Sequence, residues 1–119
     1  MRSEEITTPK GDTWLNTLPV LDSDGVAYDL TDASVTLTVK EMNDRADDDT
    51  LALFQLTLGD GIAIDSPSTG VISIEMSDER TNLLAAGKSY AYDVQIRKNQ
   101  QTFTPIGGKL VVTRDITRS

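Results

Sequence analysis

The residues able to do chemistry are unevenly supplied in this chain. Its 119 residues include 19 acidic and 11 basic side chains, but no histidine and no cysteine. Histidine is the usual general base near neutral pH and the commonest zinc ligand, so its absence removes the serine and cysteine triads and most zinc sites. Without cysteine there are no disulfides, thiolate metal sites or thiol nucleophiles, and the redox compartment is left open. Carboxylates remain. Asp22-x-Asp24-Gly25, followed by Asp29 and Asp32, has the opening of a calcium loop. A helix-flanked loop of that kind needs a bidentate Glu at its twelfth position, and the twelfth residue from Asp22 is Ala33. Asp44 with Asp47, Asp48 and Asp49 offers a looser cluster, but acids in turns are more simply turn-formers and solubilising charges. No metal and no cofactor is expected.

Paired carboxylates can also hydrolyse glycosides, provided one is buried enough to stay protonated and the two flank a cleft. The acids within apolar runs are Glu41, Glu75 and Asp93, and each is expected on an outward position of its strand. No catalytic residue is assigned and no enzyme is expected. Aromatic rings could instead stack on the apolar faces of sugars. Among the aromatics, Trp14, Tyr28 and Phe103 are the candidates for the surface. A host-surface carbohydrate-binding module is therefore the alternative reading, with Trp14 and Phe103 as interaction residues. Gly107-Gly108 enters a strand and not a helix, so it suits a bulge or sheet corner better than a phosphate loop.

The elements that must position these residues are strands. Apolar residues recur with period two, the pattern of a strand with one buried face. Val35, Leu37 and Val39 alternate with Thr36, Thr38 and Lys40; Ile72, Ile74 and Met76 with Ser73 and Glu75. Phe54, Leu56 and Leu58 behave alike, and Tyr90, Tyr92, Val94 and Ile96 give the clearest case. Leu110, Val112 and Ile116 share a parity near the end. The first run, Asp12 to Leu21, mixes parities, and a bulge near Asn16 or Pro19 is expected there. Asp22-Ser23-Asp24-Gly25, Asn43 to Thr50, Gly59-Asp60-Gly61, Ser66 to Gly70 and Asn99-Gln100-Gln101 are turn signals between the runs. About seven strands with closely spaced turns indicate an all-β, antiparallel sandwich or barrel.

One segment breaks the alternation. Ser77 is a candidate N-cap, Asp78 and Glu79 suit a first helical turn, and Gly87 suits a stop, so two turns of helix burying Leu83 or Leu84 are expected. Leu84 and Gly87 then precede Tyr90, which opens a strand. That spacing suits a tyrosine corner, in which the phenol hydrogen-bonds the backbone of the preceding connection.

A chain of this length buries roughly two-thirds of the surface its unfolded form exposes, so one core suffices. Residues 11–119 are expected to form a single domain, behind a flexible N-terminal arm of residues 1–10 that has little to bury. The net charge of −8 disfavours nucleic acid as partner. Residues 1–79 hold 17 acids and 4 bases, whereas residues 80–119 hold 2 acids and 7 bases. Acidic and basic faces could therefore meet between copies. No signal peptide and no membrane span are recognised. The final strand, with Lys109, Val111 and Thr113 on one face, is expected to be exposed and able to add to a neighbour's sheet.

Taken in order, several motifs resemble a family of small immunoglobulin-like sandwich modules of tailed bacteriophages and prophages. They are Lys10-Gly11-Asp12-Thr13, Asp22-x-Asp24-Gly25 leading to Asp29-Leu30-Thr31, and Thr69-Gly70-Val71-Ile72. Leu84-x-x-Gly87-x-x-Tyr90-x-Tyr92-Asp93-Val94 and the closing Gly108-x-Leu110-Val111-Val112-Thr113-Arg114-Asp115-Ile116-Thr117-Arg118 complete the set. The family includes the N-terminal domain of baseplate upper proteins. The resemblance implies an immunoglobulin-like sandwich of about seven strands and a non-enzymatic part of the virion, in tail, baseplate or head–tail region. It further implies other virion structural proteins as partners, with a homo-oligomer among the assemblies, and manufacture in the host cytoplasm.

Overall fold

The computed structural model describes residues 2–9, 13–22, 24–41 and 53–113. The acid-rich loop expected over Asn43–Thr50, the Lys10-Gly11-Asp12 opening, Ser23 and the closing residues from Arg114 onward lie outside them.

The period-two runs form strands. In chain order these are β1 (Arg2–Ser3), β2 (Ile6–Pro9), β3 (Trp14–Pro19), β4 (Ser34–Glu41), β5 (Phe54–Leu58), β6 (Gly61–Ser66) and β7 (Val71–Met76). A one-turn helix α1 (Asp78–Thr81) follows, then β8 (Ser89–Lys98) and β9 (Gln101–Thr113). All strands belong to one sheet in the order β1-β9-β8-β4-β5-β6-β7-β3, with β2 also against β9. Because β1 and β2 share one position beside β9, the sheet has eight positions and curls nearly closed into a barrel.

Alternation fills its interior. Val35, Leu37 and Val39 of β4, Leu56 of β5, Ile72, Ile74 and Met76 of β7, and Tyr90, Tyr92, Val94 and Ile96 of β8 are all at most 4% exposed. Ile106, Leu110 and Val112 of β9 join them. Burying each large apolar side chain contributes about 1.5–3 kcal/mol, opposed by the entropy of ordering the chain.

The β5–β6 contact differs from the other pairings. It is parallel but consists only of Thr57 opposite Gly61 and Leu58 opposite Ile62, partners four residues apart. A parallel ladder ordinarily needs a crossover of about a dozen residues. Here Thr57 and Asp60 each donate a backbone N–H to the other's carbonyl, at 3.1 and 2.9 Å, and Gly59 N–H donates to Ile62 O at 3.0 Å. It is a tight turn by which the sheet changes direction. Gly61 is required within it: its φ is +97°, and a Cβ would stand 2.8 Å from Leu56 Cδ2.

Four expectations change. The N-terminal residues, which the sequence reads as a loose arm, pair in parallel with β9 from Arg2 opposite Ile106 to Pro9 opposite Thr113. Ile6 and Thr8 are buried on this strand; a single apolar residue in so short a run gives no alternation to read. In consequence β9 is not an edge over residues 106–113. Val111 lies between Thr7 and Ser89, so Lys109, Val111 and Thr113 cannot extend a neighbour's sheet through their backbone.

The first long strand needs no bulge, since Trp14–Pro19 keeps unbroken register with Met76–Val71. Leu18 and the following Val20 face the core, while Leu15 is 67% exposed. The irregularity of the last strand is not at Gly107-Gly108 either. Val94 opposes Ile106 and Ile96 opposes Phe103, so the extra residue falls at Thr104-Pro105, where a missing N–H is tolerated. Gly108 instead permits close approach of the N-terminal strand, because a Cβ there would lie 2.4 Å from Glu4 O.

Candidate functional site

The tyrosine-corner residues lie at one end of the barrel, which Trp14 shares, and Phe103 lies at the other. At the first end, Ser77 caps α1 by accepting the Arg80 N–H, and acidic Asp78 and Glu79 occupy the first turn. The helix stops after four residues, half the expected length. Of the two candidate leucines, Leu84 is buried and Leu83 is 64% exposed. The Tyr90 hydroxyl, on a ring 3% exposed, accepts the Ala85 N–H at 2.8 Å. Gly87, at φ +79°, donates its N–H to Val112 O at 2.7 Å. The loop containing Leu84 and Gly87 is thus tied to both β8 and β9.

Tyr92, two residues on and on the same inner face, donates its hydroxyl to Glu4 O at 2.6 Å. Glu4 N–H in turn donates to Gly107 O at 3.1 Å. This clamp on the N-terminal strand has no local signature, since its partners are 88 residues apart.

Polar contacts finish this end. Lys88 Nζ lies 2.6 Å from Glu41 Oε2 and 5.2 Å from the centre of the Tyr90 ring. Hydrogen bonding to Glu41 is the main cause holding the Lys88 ammonium above its ordinary pKa. Glu41 corrects a sequence expectation: it opposes Tyr90 and shares the inward parity of Val39. It stays half-exposed because β4 ends there. Glu75 and Asp93 are on outward positions. Arg80 pairs with Asp60 at 2.8 Å and fastens α1 to the β5–β6 turn.

At the second end, Val20 and Tyr28 meet at Gly70: Val20 N–H donates to Gly70 O at 2.7 Å and Tyr28 N–H to Val20 O at 3.0 Å. Gly70 is obligatory, with φ +71° and only 2.4 Å between a hypothetical Cβ and Tyr28 O. The half-buried rings of Tyr28 and Phe103 pack at 4.7 Å between centres and 59° between planes. Lys98 Nζ lies 5.5 Å from the Tyr28 ring centre and donates to Asp29 O at 2.8 Å. Asp29 Oδ1 accepts the Thr31 hydroxyl at 2.7 Å and the Thr31 N–H at 2.9 Å; these bonds hold its carboxyl below the usual aspartate range. Asp22 Oδ1 accepts the N–H groups of Asp24 and Val26, at 2.9 and 3.0 Å. Asp22, Tyr28, Gln101, Thr102 and Phe103 line an open cleft of about 590 Å³.

Trp14 and Phe103 do not come together. Trp14 opposes Met76, next to α1, and is half-buried against the core. Val20, at the Tyr28 end, is six residues further along an extended chain, about 20 Å away. Lys109 is exposed on the outer face of β9, aligned across Ala91 with Lys40, and half-buried Val111 and Thr113 continue that face. No group of three or more acidic side chains is positioned to hold a metal ion among the described residues, and none of their helices is long and apolar enough to cross a membrane. The four Asp of the 44–49 cluster are outside those residues.

No family model matches the chain, and no curated protein matches it either. Its chemistry must be read from its own geometry. The first end is made of contacts that close the fold, while the second gathers polar and aromatic groups around open space. Asp22 and Gln101 have the plainest signal in the sequence, that of turn residues, and Thr102 carries no signal of its own. Only the β8–β9 register, which sets the hairpin tip beside Tyr28, makes them a cleft.

Proposed function

We propose that this protein is a non-enzymatic docking module of a tailed bacteriophage or prophage virion, built as an immunoglobulin-like sandwich and acting through protein–protein contact. The frame is supported by the strand pairings on either side of the β5–β6 turn. β3, β7 and β6 make one antiparallel group, and β5, β4, β8 and β9 make another, bordered by β2. With so slight a link between the groups, they can be taken as two layers facing across one core.

The observation that carries the reading is where the family-like motifs fall. Asp22 and Gly25 close a turn, Asp29 ties Thr31, Gly70 lets Val20 and Tyr28 approach, and Tyr90 holds Ala85. These motif residues have folding tasks, as expected if the ordered resemblance reflects a common frame; Lys10-Gly11-Asp12 and the closing residues from Arg114 lie outside the described residues. Docking is supported by the unlike outer faces. Lys40 and Lys109 flank Ala91 on one, with Asp93 two residues along, whereas Asp65 and Glu75 lie near Ala63 and exposed Leu15 on the other. Opposite charge of this kind orients partners more than it adds affinity.

The test is electron microscopy of particles induced from the parent strain with this protein tagged. Label at a fixed position on tail, baseplate or neck is the expected result. Particles that carry no label, together with flanking genes for metabolism in place of capsid, portal and tail genes, would overturn the proposal.

A further inference from the structure

We propose that the cleft at the hairpin end binds a neutral saccharide, with Phe103 as its apolar wall and the Asp22 carboxylate as acceptor for a pair of adjacent hydroxyls. The inference does not rest on the virion reading; a sugar site could belong to a module with any partner. It also differs from a platform made of Trp14 and Phe103, which the fold holds at opposite ends.

The lining has the elements such a ligand needs. A pyranose presents a strip of C–H groups on one face and hydroxyls around its rim, so it is held by an aromatic surface plus fixed hydrogen-bonding groups. Asp22 is fixed before any ligand arrives. Its Oδ1 is committed to the N–H groups of Asp24 and Val26, which sets the carboxylate plane and leaves Oδ2 for ligand hydroxyls. Gln101 and Thr102, exposed at the start of β9, also line the cleft. Gln101, opposite Lys98 and at the parity of Phe103, adds an amide that can donate and accept, and Thr102 borders the cleft from the outward parity. The wall is braced, since Phe103 packs against Tyr28, and Lys98 lies over Tyr28. At about 590 Å³ and open on one side, the cleft suits about one or two hexose rings at a chain end.

Charge decides against an acidic sugar. Asp22 lines the cleft, and Asp29 stands nearby with its carboxyl bound to Thr31. The Lys98 ammonium is turned to the Asp29 carbonyl and the Tyr28 ring. An anion entering here would meet the Asp22 carboxylate first, since Arg97, which opposes Thr102, stands at the outward parity of β8 and not on the side of Phe103.

The experiment is an amide-resolved NMR titration of the whole chain with methyl glucoside, methyl galactoside and methyl mannoside, and with a methyl glucuronide for comparison. At least one neutral glycoside should give saturable shifts at Gln101, Thr102 and Phe103, and the glucuronide should bind more weakly. Asp22→Asn keeps the turn's acceptor oxygen but loses the charge, and should weaken binding about tenfold. Phe103→Leu should do at least as much. Gln101→Ala changes an exposed side chain and keeps the reading testable if the Phe103 variant is poorly folded; it should weaken binding a few-fold. Absence of saturable shifts with every neutral glycoside overturns the proposal. So do shifts that persist unchanged in both Asp22→Asn and Gln101→Ala, or tighter binding of the glucuronide.

Discussion

The two ends of the barrel solve opposite problems. At the α1 end, a crossing loop is fastened by one buried side chain and two hydrogen bonds: Leu84 in the core, Ala85 N–H on the Tyr90 hydroxyl, and Gly87 N–H on Val112 O. At the hairpin end, the chain turns through two non-glycine residues in the left-handed region, Asn99 at φ +53° and Gln100 at φ +65°. Beside that turn the rings of Tyr28 and Phe103 are only half-buried around open space. Stability is concentrated where the loop is tied, and adaptable chemistry where it is not. Loops that bind are commonly carried on a rigid scaffold in this way.

If that contrast is right, the largest loss should come from the first end. Leu84→Ala removes a side chain only 1% exposed and should cost about 2–5 kcal/mol, read as a lower urea midpoint. A midpoint within error of the parent would mean the loop is not part of the core. Tyr90→Phe should cost about 1–2 kcal/mol, because it strands the Ala85 N–H in a partly buried position. Hydrogen exchange at Ala85 should accelerate in the same variant, whereas exchange at Phe103 should not.

These contacts also mark how far a sequence can be read. The inward faces of β4, β7 and β8 are legible because each run repeats its apolar residues three or four times. The Ala85–Tyr90 bond spans five residues, so chain geometry alone brings its ends near. The parallel pairing of β2 with β9 has no such help. It is set by residues about a hundred positions apart, and Ile6 is the one large apolar side chain the short strand buries. Glu41 misleads for a related reason: a charged residue at inward parity is affordable only because β4 ends there and Lys88 meets it. The cleft is the least legible feature, since Asp22 and Gln101 are neighbours only after the sheet curls.

The hairpin end should respond to substitution in the opposite sense. Lys98 opposes Gln101, so Asn99 and Gln100 form a two-residue turn with both central φ positive, the arrangement that favours Asn-Gly. Gln100→Gly relieves the steric cost of a side chain in that region and should raise stability by about 0.5–1 kcal/mol. A lowered urea midpoint would mean that the Gln100 side chain contributes contacts worth more than the relief.

The smallest expected effects separate the two ends by pH. Asp29, at the hairpin end, has its carboxyl lowered by hydrogen bonds from the Thr31 hydroxyl and N–H, then by the Lys98 charge. A lowered acid favours the folded state above the unfolded-chain pKa, roughly 4, and that contribution fades as pH falls through the lower folded value. Lys88, at the α1 end, has its ammonium raised chiefly by the hydrogen bond to Glu41. Its contribution is complete below the unfolded-chain pKa, roughly 10, and fades as pH rises through the higher folded value. Both groups are solvent-exposed, so each effect is small and weakens further with salt. Asp29→Asn should therefore flatten the acid limb of a midpoint-against-pH curve and leave the alkaline limb, whereas Lys88→Gln should flatten the alkaline limb and, because its partner Glu41 must be ionised, part of the acid limb too. If Asp29→Asn flattened the alkaline limb as well, the two ends would be electrostatically coupled through the barrel, and treating them as independent regions would fail.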